Sequence, residues 1–106
     1  RDDVRRAEGL RPEDLVVLFV GGDWERKGLG VAIEGVARAS QAVVRPLHLW
    51  VVGDGDEARY TRLAARLGVG TRVSFFGRRD DTERFYAAAD IFVLPSYYET
   101  FSLVAM

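Results

Sequence analysis

The chain has 106 residues, which suits one small domain with its own core, and its 48% hydrophobic content excludes a disordered segment. The formal net charge is −1, with 15 basic and 16 acidic residues interspersed, so no global basic field points to nucleic acid or to a membrane surface. With no cysteine and one histidine there is neither a disulfide scaffold nor a donor set for zinc, and no apolar run reaches the roughly 20 residues of a membrane span. No signal peptide opens the chain, so a cytoplasmic location is expected.

In chain order, a short helix is expected over 3–8, ended by Gly9. The apolar run "LVVLFV" (15–20) follows and reads as a strand. Leu29, Ile33, Val36 and Ala37 then recur at helical spacing. A second strand is expected at "LHLWVV" (47–52), then a helix carrying Tyr60, Leu63, Ala64 and Leu67 on one stripe and ended by Gly68. "RVSFF" (72–76) gives a third strand. Asp80 with Glu83 resembles a capping box for a helix burying Phe85, Ala88 and Ala89. "IFVL" (91–94) is the fourth strand, and a further helix including Leu103 and Val104 is expected to begin near the end of the sequence. The strand runs are mostly continuous rather than alternating, as in strands covered on both faces. Strands alternating with helices imply right-handed βαβ units and an α/β fold, a Rossmann-like parallel sheet with flanking helices. Four strands are fewer than the five or six usual in such a sheet, so the domain is expected to be incomplete at its carboxyl end.

Open α/β sheets bind ligands beyond the carboxyl ends of their strands, and all four strands here leave into special loops. These are Gly21-Gly22, Gly53-Asp54-Gly55, Gly77-Arg78 and Pro95-Ser96. In "GGDWERKGLG" (21–30), Arg26 and Lys27, the only lysine, stand beside Gly28 where the loop turns into a helix. Two cations at a helix start conflict with its dipole unless an anion is bound, which suits a phosphate or diphosphate. A solvated surface pair, partly neutralised by Glu25, is the plain alternative. "VVGDGDEA" matches a G-x-G-x-x-A fingerprint loosely, and Arg78 and Arg79 after the next strand would then meet an NADP phosphate. In "SYYETFSLVAM" (96–106), Glu99 or Thr100 can cap a helix, or Glu99 can accept hydrogen bonds from sugar hydroxyls. In the second case the free first-turn N–H groups of residues 101–103 would face phosphate. His48 and Trp50 are read as packed strand residues, whereas Trp24 either shields the site or faces a partner domain.

Four segments, "FVGGDWERKGLGVAIEGVA", "LWVVGDGDE", "RVSFFGRRDDTERFYAAADIFVLPS" and "YYETFSLVAM", together resemble the carboxyl-terminal domain of GT-B retaining glycosyltransferases of family 4, the glycosyltransferases group 1 family. The resemblance is colinear over 15–106, and residues 1–14 resemble the helical connection that precedes that domain. It implies a nucleoside-diphosphate sugar as donor, retention of anomeric configuration, a hydroxyl acceptor, and neither metal nor other cofactor. The family's diphosphate-binding lysine falls on Lys27, and its usual arginine position falls on Gly22, which makes Arg26 the substitute. The family's E-x7-E motif starts at Glu99, with Thr100, Phe101, Ser102 and Leu103 forming the turn against donor sugar and phosphate. The backbone at Gly21, Gly22, Gly53 and Gly77, with Arg78, would line the rest of the donor site.

By the same resemblance the partner of this domain is an amino-terminal acceptor domain outside the 106 residues, so the piece alone is expected to be inactive. Peripheral membrane association of the full protein is compatible with this reading, and nucleic acid binding is not expected. The rival readings are a non-catalytic Rossmann-like module for nucleotide or phosphate and an NADP-linked oxidoreductase fragment.

Overall fold

A computed structural model describes residues 2–94 and 102–105, with side chains from 4 to 93. Its elements are α1 (Asp2–Ala7), β1 (Leu15–Val20), α2 (Trp24–Lys27), α3 (Leu29–Ala42), β2 (Leu47–Val52), α4 (Glu57–Arg66), a 3-10 turn (Gly70–Arg72), β3 (Val73–Gly77), α5 (Thr82–Ala88), β4 (Ile91–Leu94) and β5 (Ser102–Ala105). The strands form one sheet in the order β3-β2-β1-β4-β5. The first four are parallel, as the unbroken apolar runs predict.

The last element corrects an expectation. Ser102 and Leu103 do not open a helix; they pair antiparallel with Leu94 and Val93 in β5. The edge of β4 offers these residues a ready ladder of N–H and C=O groups.

The period of two along β1 divides its side chains between two cores. Val17 and Phe19 join Leu29, Ile33 and Val36 of α3 and Tyr60 and Ala64 of α4 on one face. Val16 and Leu18 join Trp50, Phe85 and Ala88 on the other, with Val4 and Leu10 packed against them. Each fully buried aliphatic side chain stabilises the fold by about 1.5–3 kcal/mol. A register shift between Val51 and Val52 sets Val51 opposite Phe75 but Val52 opposite Gly77. The extra residue, Phe76, packs on Trp50 and Phe85, while Phe75 packs on Trp24 across the sheet. α3 and α4 carry the chain from β1 to β2 to β3 on one face, and α5 returns it on the other face to β4. The direction of winding therefore reverses between β1 and β4, the switch point of a doubly wound sheet.

The caps follow chemistry in one case and depart from it in another. Asp56 accepts the Arg59 N–H at 3.1 Å and starts α4, and Gly68 at φ 79° follows its end. The Asp80–Glu83 capping box does not form: α5 starts from Asp81 without a side-chain cap bond. The Asp81 carboxylate is taken by Arg79, whose Nε and Nη2 donate at 3.0 and 3.1 Å. A two-point guanidinium contact outcompetes a single backbone amide.

Residues 2–14 are packed onto the sheet rather than held apart from it. Arg5 is 3% exposed. Its Nε donates to the Ala88 carbonyl and its Nη1 to the Asp14 carbonyl, each at 2.9 Å, and its Nη2 pairs with the Asp90 carboxylate. Asp90 also accepts the Val16 N–H at 2.8 Å, so one ion pair fixes α1, β1 and the start of β4 together.

Candidate functional site

The carboxyl ends of β1, β2 and β3 are stitched together by their first loop residues. Gly21 N–H donates to the Val52 carbonyl at 2.8 Å, and Gly53 N–H donates to the Gly77 carbonyl at 2.7 Å. Gly53 has φ 136°, and a Cβ there would lie 2.2 Å from the Gly21 oxygen. Only glycine allows the two loops to approach this closely.

Above them lies a cleft of about 410 Å³. Its floor is Val20 and Val52; its walls are Gly21, Gly22, Gly53, Asp54, Arg78, Arg79 and Thr82. The expected residues Gly21, Gly22, Gly53 and Arg78 therefore meet in one place, with Gly77 directly behind them through its bond to Gly53. Lys27 belongs to the same edge: a Cβ on Gly21 would stand 2.8 Å from its Nζ. Among the described residues neither Lys27 nor Arg78 has an ion-pair partner.

Arg26 is placed differently. It is exposed and pairs with Asp23 at 2.6 Å, and it is not among the residues lining the cleft. The expected conflict between two cations and a helix start is eased on one side only. Gly28, at φ 84°, ends the single turn α2 before α3 begins, so Arg26 and Lys27 occupy the last turn of a helix. Cations are favourable at the end of that turn, but Gly28 is also the N-cap of α3, so Lys27 stands just before a helix start, where a cation is unfavourable without an anion. Glu99, Thr100 and Phe101 lie outside the described residues. Ser102 and Leu103 are in β5, so their amides belong to a strand and not to a helical first turn.

Arg79, Asp54 and Thr82 line the cleft without having been assigned to it from the sequence as donor-site residues. Their signal was present, since all lie within five residues after a strand-ending glycine. Arg79 lies over the Phe85 ring at 5.1 Å and holds the Asp81 carboxyl below its ordinary range, chiefly by hydrogen bonding. Trp24, open to two readings in the sequence, is a core residue, 3% exposed. Trp50, at 1%, is buried as expected.

His48 sits away from the cleft, at the amino end of β2. Its Nε2 is 3.4 Å from the Asp14 carboxylate. Burial lowers its pKa below 6.5 despite the opposing pull of Asp14, so the imidazole is a neutral packed group rather than a poised acid. Among the described residues, no cluster of three or more His, Asp or Glu side chains could hold a metal ion, and no helix is long and apolar enough to cross a membrane.

Comparison with known proteins bears on the family and the fold. The family model described as "Glycosyl transferases group 1" matches residues 14–106. The lipopolysaccharide glucosyltransferase WaaG of Escherichia coli is 33% identical over 106 residues, which is 100% of this chain and 28% of WaaG. The lipopolysaccharide core biosynthesis glycosyltransferase LpsE of Rhizobium meliloti is 44% identical over 98 residues, 91% of this chain and 27% of LpsE. The crystal structure of WaaG superposes with a TM-score of 0.83 at 34% identity, over 92% of this chain and 26% of that one. The chain thus spans about a quarter of the length of the relatives it matches. With a parallel, doubly wound sheet like that of WaaG and a family match over almost its whole length, the chain belongs to the glycosyl transferases group 1 family.

Proposed function

We propose that this domain binds the nucleoside-diphosphate sugar of a retaining glycosyltransferase, and that the acceptor is held by residues outside the 106. The observation that supports it most is the convergence of Gly21, Gly22, Gly53 and Arg78 on one cleft, with Lys27 at its rim. The loops offer close approach and the Gly22 N–H, and Lys27 and Arg78 offer positive charge, whereas the Arg79 guanidinium is engaged by Asp81. Charge developing on a departing diphosphate is stabilised by such fixed cations and dipoles, and no proton has to move to achieve it. Lys27 is the group assigned to the diphosphate, and the Gly77–Arg78 turn to the base. Glu99 is assigned to the donor sugar and Thr100 to Leu103 to its phosphate, on the resemblance alone. Arg26 has a lesser part in this scheme, because its guanidinium is already engaged by Asp23.

The domain alone is proposed to bind nucleotide without transferring sugar, because the relatives are about four times longer. By their names two relatives act in lipopolysaccharide synthesis, which makes a lipopolysaccharide core sugar the first acceptor class to assay.

The full-length protein, incubated with UDP-, GDP- and ADP-sugars and a truncated lipopolysaccharide core, tests the reading. The expected product is a glycoside whose anomeric configuration matches the donor, read by proton NMR. An inverted product would remove the retaining assignment. Failure of every nucleotide sugar to bind would remove the donor site.

A further inference from the structure

Trp24 ties the two glycine-rich exits of β1 and β2 together. Its ring packs on Tyr60 and Phe75 at centroid separations of 5.6 Å. It also lies so close to Gly55 that a Cβ there would be 2.3 Å from the indole. The indole N–H donates to the Gly21 carbonyl at 2.8 Å. That carbonyl faces the Gly53 Cα, and the Gly21 N–H is already given to Val52. Both polar groups of Gly21 are therefore turned toward β2 and the aromatic cluster.

The next atom follows from covalent geometry. The Gly21–Gly22 peptide is trans, so its N–H points opposite to its C=O. The Gly22 N–H is consequently turned away from Gly53 and the Trp24 indole, which the Gly21 carbonyl faces. Gly22 lines the cleft, and among the described residues its N–H has no hydrogen-bond partner.

We propose that Trp24 is a positioning residue: by holding the Gly21 carbonyl, its indole N–H presents the Gly22 N–H to a phosphate oxygen of the bound nucleoside diphosphate. The inference rests on the donor-site reading given above. A Gly-Gly peptide left to itself samples many orientations, and ordering it on binding costs free energy. Anchoring it beforehand from a buried ring removes that cost, and supplies a donor that is already aimed. A ring that only filled the core would instead affect every part of the ligand alike.

Full-length Trp24→Phe keeps an aromatic ring and loses the N–H. Inorganic pyrophosphate, UDP, GDP, ADP and the corresponding nucleosides are titrated into wild type and variant by calorimetry. Pyrophosphate and the preferred nucleoside diphosphate should bind about five- to tenfold more weakly to the variant, and the matching nucleoside should stay within about twofold, as for one charge-assisted hydrogen bond. Equal weakening of nucleoside and diphosphate, or no change in either, overturns the role of Trp24 and leaves the donor site standing. A wild type that binds none of the nucleotides overturns both. Should the variant not fold, the wild-type Gly22 amide decides, followed with glycine-selective nitrogen labelling. A downfield proton shift on saturation with pyrophosphate supports the assignment, and an unmoved resonance defeats it.

Discussion

Lys27 and Arg26 are neighbours in sequence with different surroundings. The Lys27 ammonium lies over Gly21 at the rim of the cleft, whereas the Arg26 guanidinium is turned to Asp23 in solvent. A cation that meets the diphosphate only as charge develops is worth most in the transition state. In the full-length enzyme, Lys27→Ala should therefore lower kcat/KM at least tenfold, about 1.4 kcal/mol, and Arg26→Ala by less than about threefold. Steady-state kinetics with the preferred donor separates the two, and equal losses would return Arg26 to the site. Gly53 is the other position where a single atom decides. At φ 136° and with a Cβ only 2.2 Å from the Gly21 oxygen, Gly53→Ala must push the β1 and β2 exits apart. It should cost about 2–3 kcal/mol in urea denaturation and reduce donor binding along with stability.

At the scale of elements, α1 illustrates what long-range pairing adds to local pattern. Its helix is legible from residues 3–8 and the stop at Gly9, yet nothing local reveals that Arg5 reaches Asp90, 85 residues away. Removing one partner of a pair this buried leaves an uncompensated carboxylate, which costs more than the pair contributed. Arg5→Ala should thus lose about 3 kcal/mol in chemical denaturation and release α1 from α5, seen as faster amide exchange in residues 2–8. An unchanged midpoint would mean that Asp90 finds other donors. The four parallel strands were legible because continuous apolar runs that end at glycine or, for β4, at proline have few alternatives. β5 was not, since "SLVA" carries no period that separates strand from helix and its pairing depends on the free edge of β4. The candidate cleft was legible as an edge, from the glycine exits of β1, β2 and β3, but not in its walls, and the fourth exit, Pro95-Ser96, lies outside the described residues. Arg79 and Thr82 line the cleft from the turn after β3 and the start of α5, and Trp24 packs against Gly55, 31 residues later.

For the molecule as a whole, ionisable groups collect at both ends of the sheet, and the two ends have different consequences. Around the carboxyl ends stand Lys27, Arg78 and Arg79. Toward the amino ends stand Asp14, His48, Arg72 and Arg5, with Asp14 only 4% exposed and its Oδ1 without a hydrogen-bond partner among the described residues. His48 is the only histidine in the 106 residues, so one side chain dominates the titration of this domain near pH 6. Its folded pKa lies below 6.5, first through burial and then through Arg72 and Arg5, with Asp14 acting in the opposite sense. The unfolded chain therefore binds the proton more readily than the folded one. The stabilisation is fully present above pH 6.5 and is lost as the pH falls through the lower folded value. One such group changes stability by at most about 1.4 kcal/mol per pH unit. Urea denaturation from pH 7.5 down to pH 5.5 should thus show falling stability, and His48→Gln should flatten that slope while leaving nucleotide binding at the other edge unchanged. A slope that survives in the variant would assign the effect to carboxylates, and a rise in stability on acidification would show that the Asp14–His48 attraction outweighs burial.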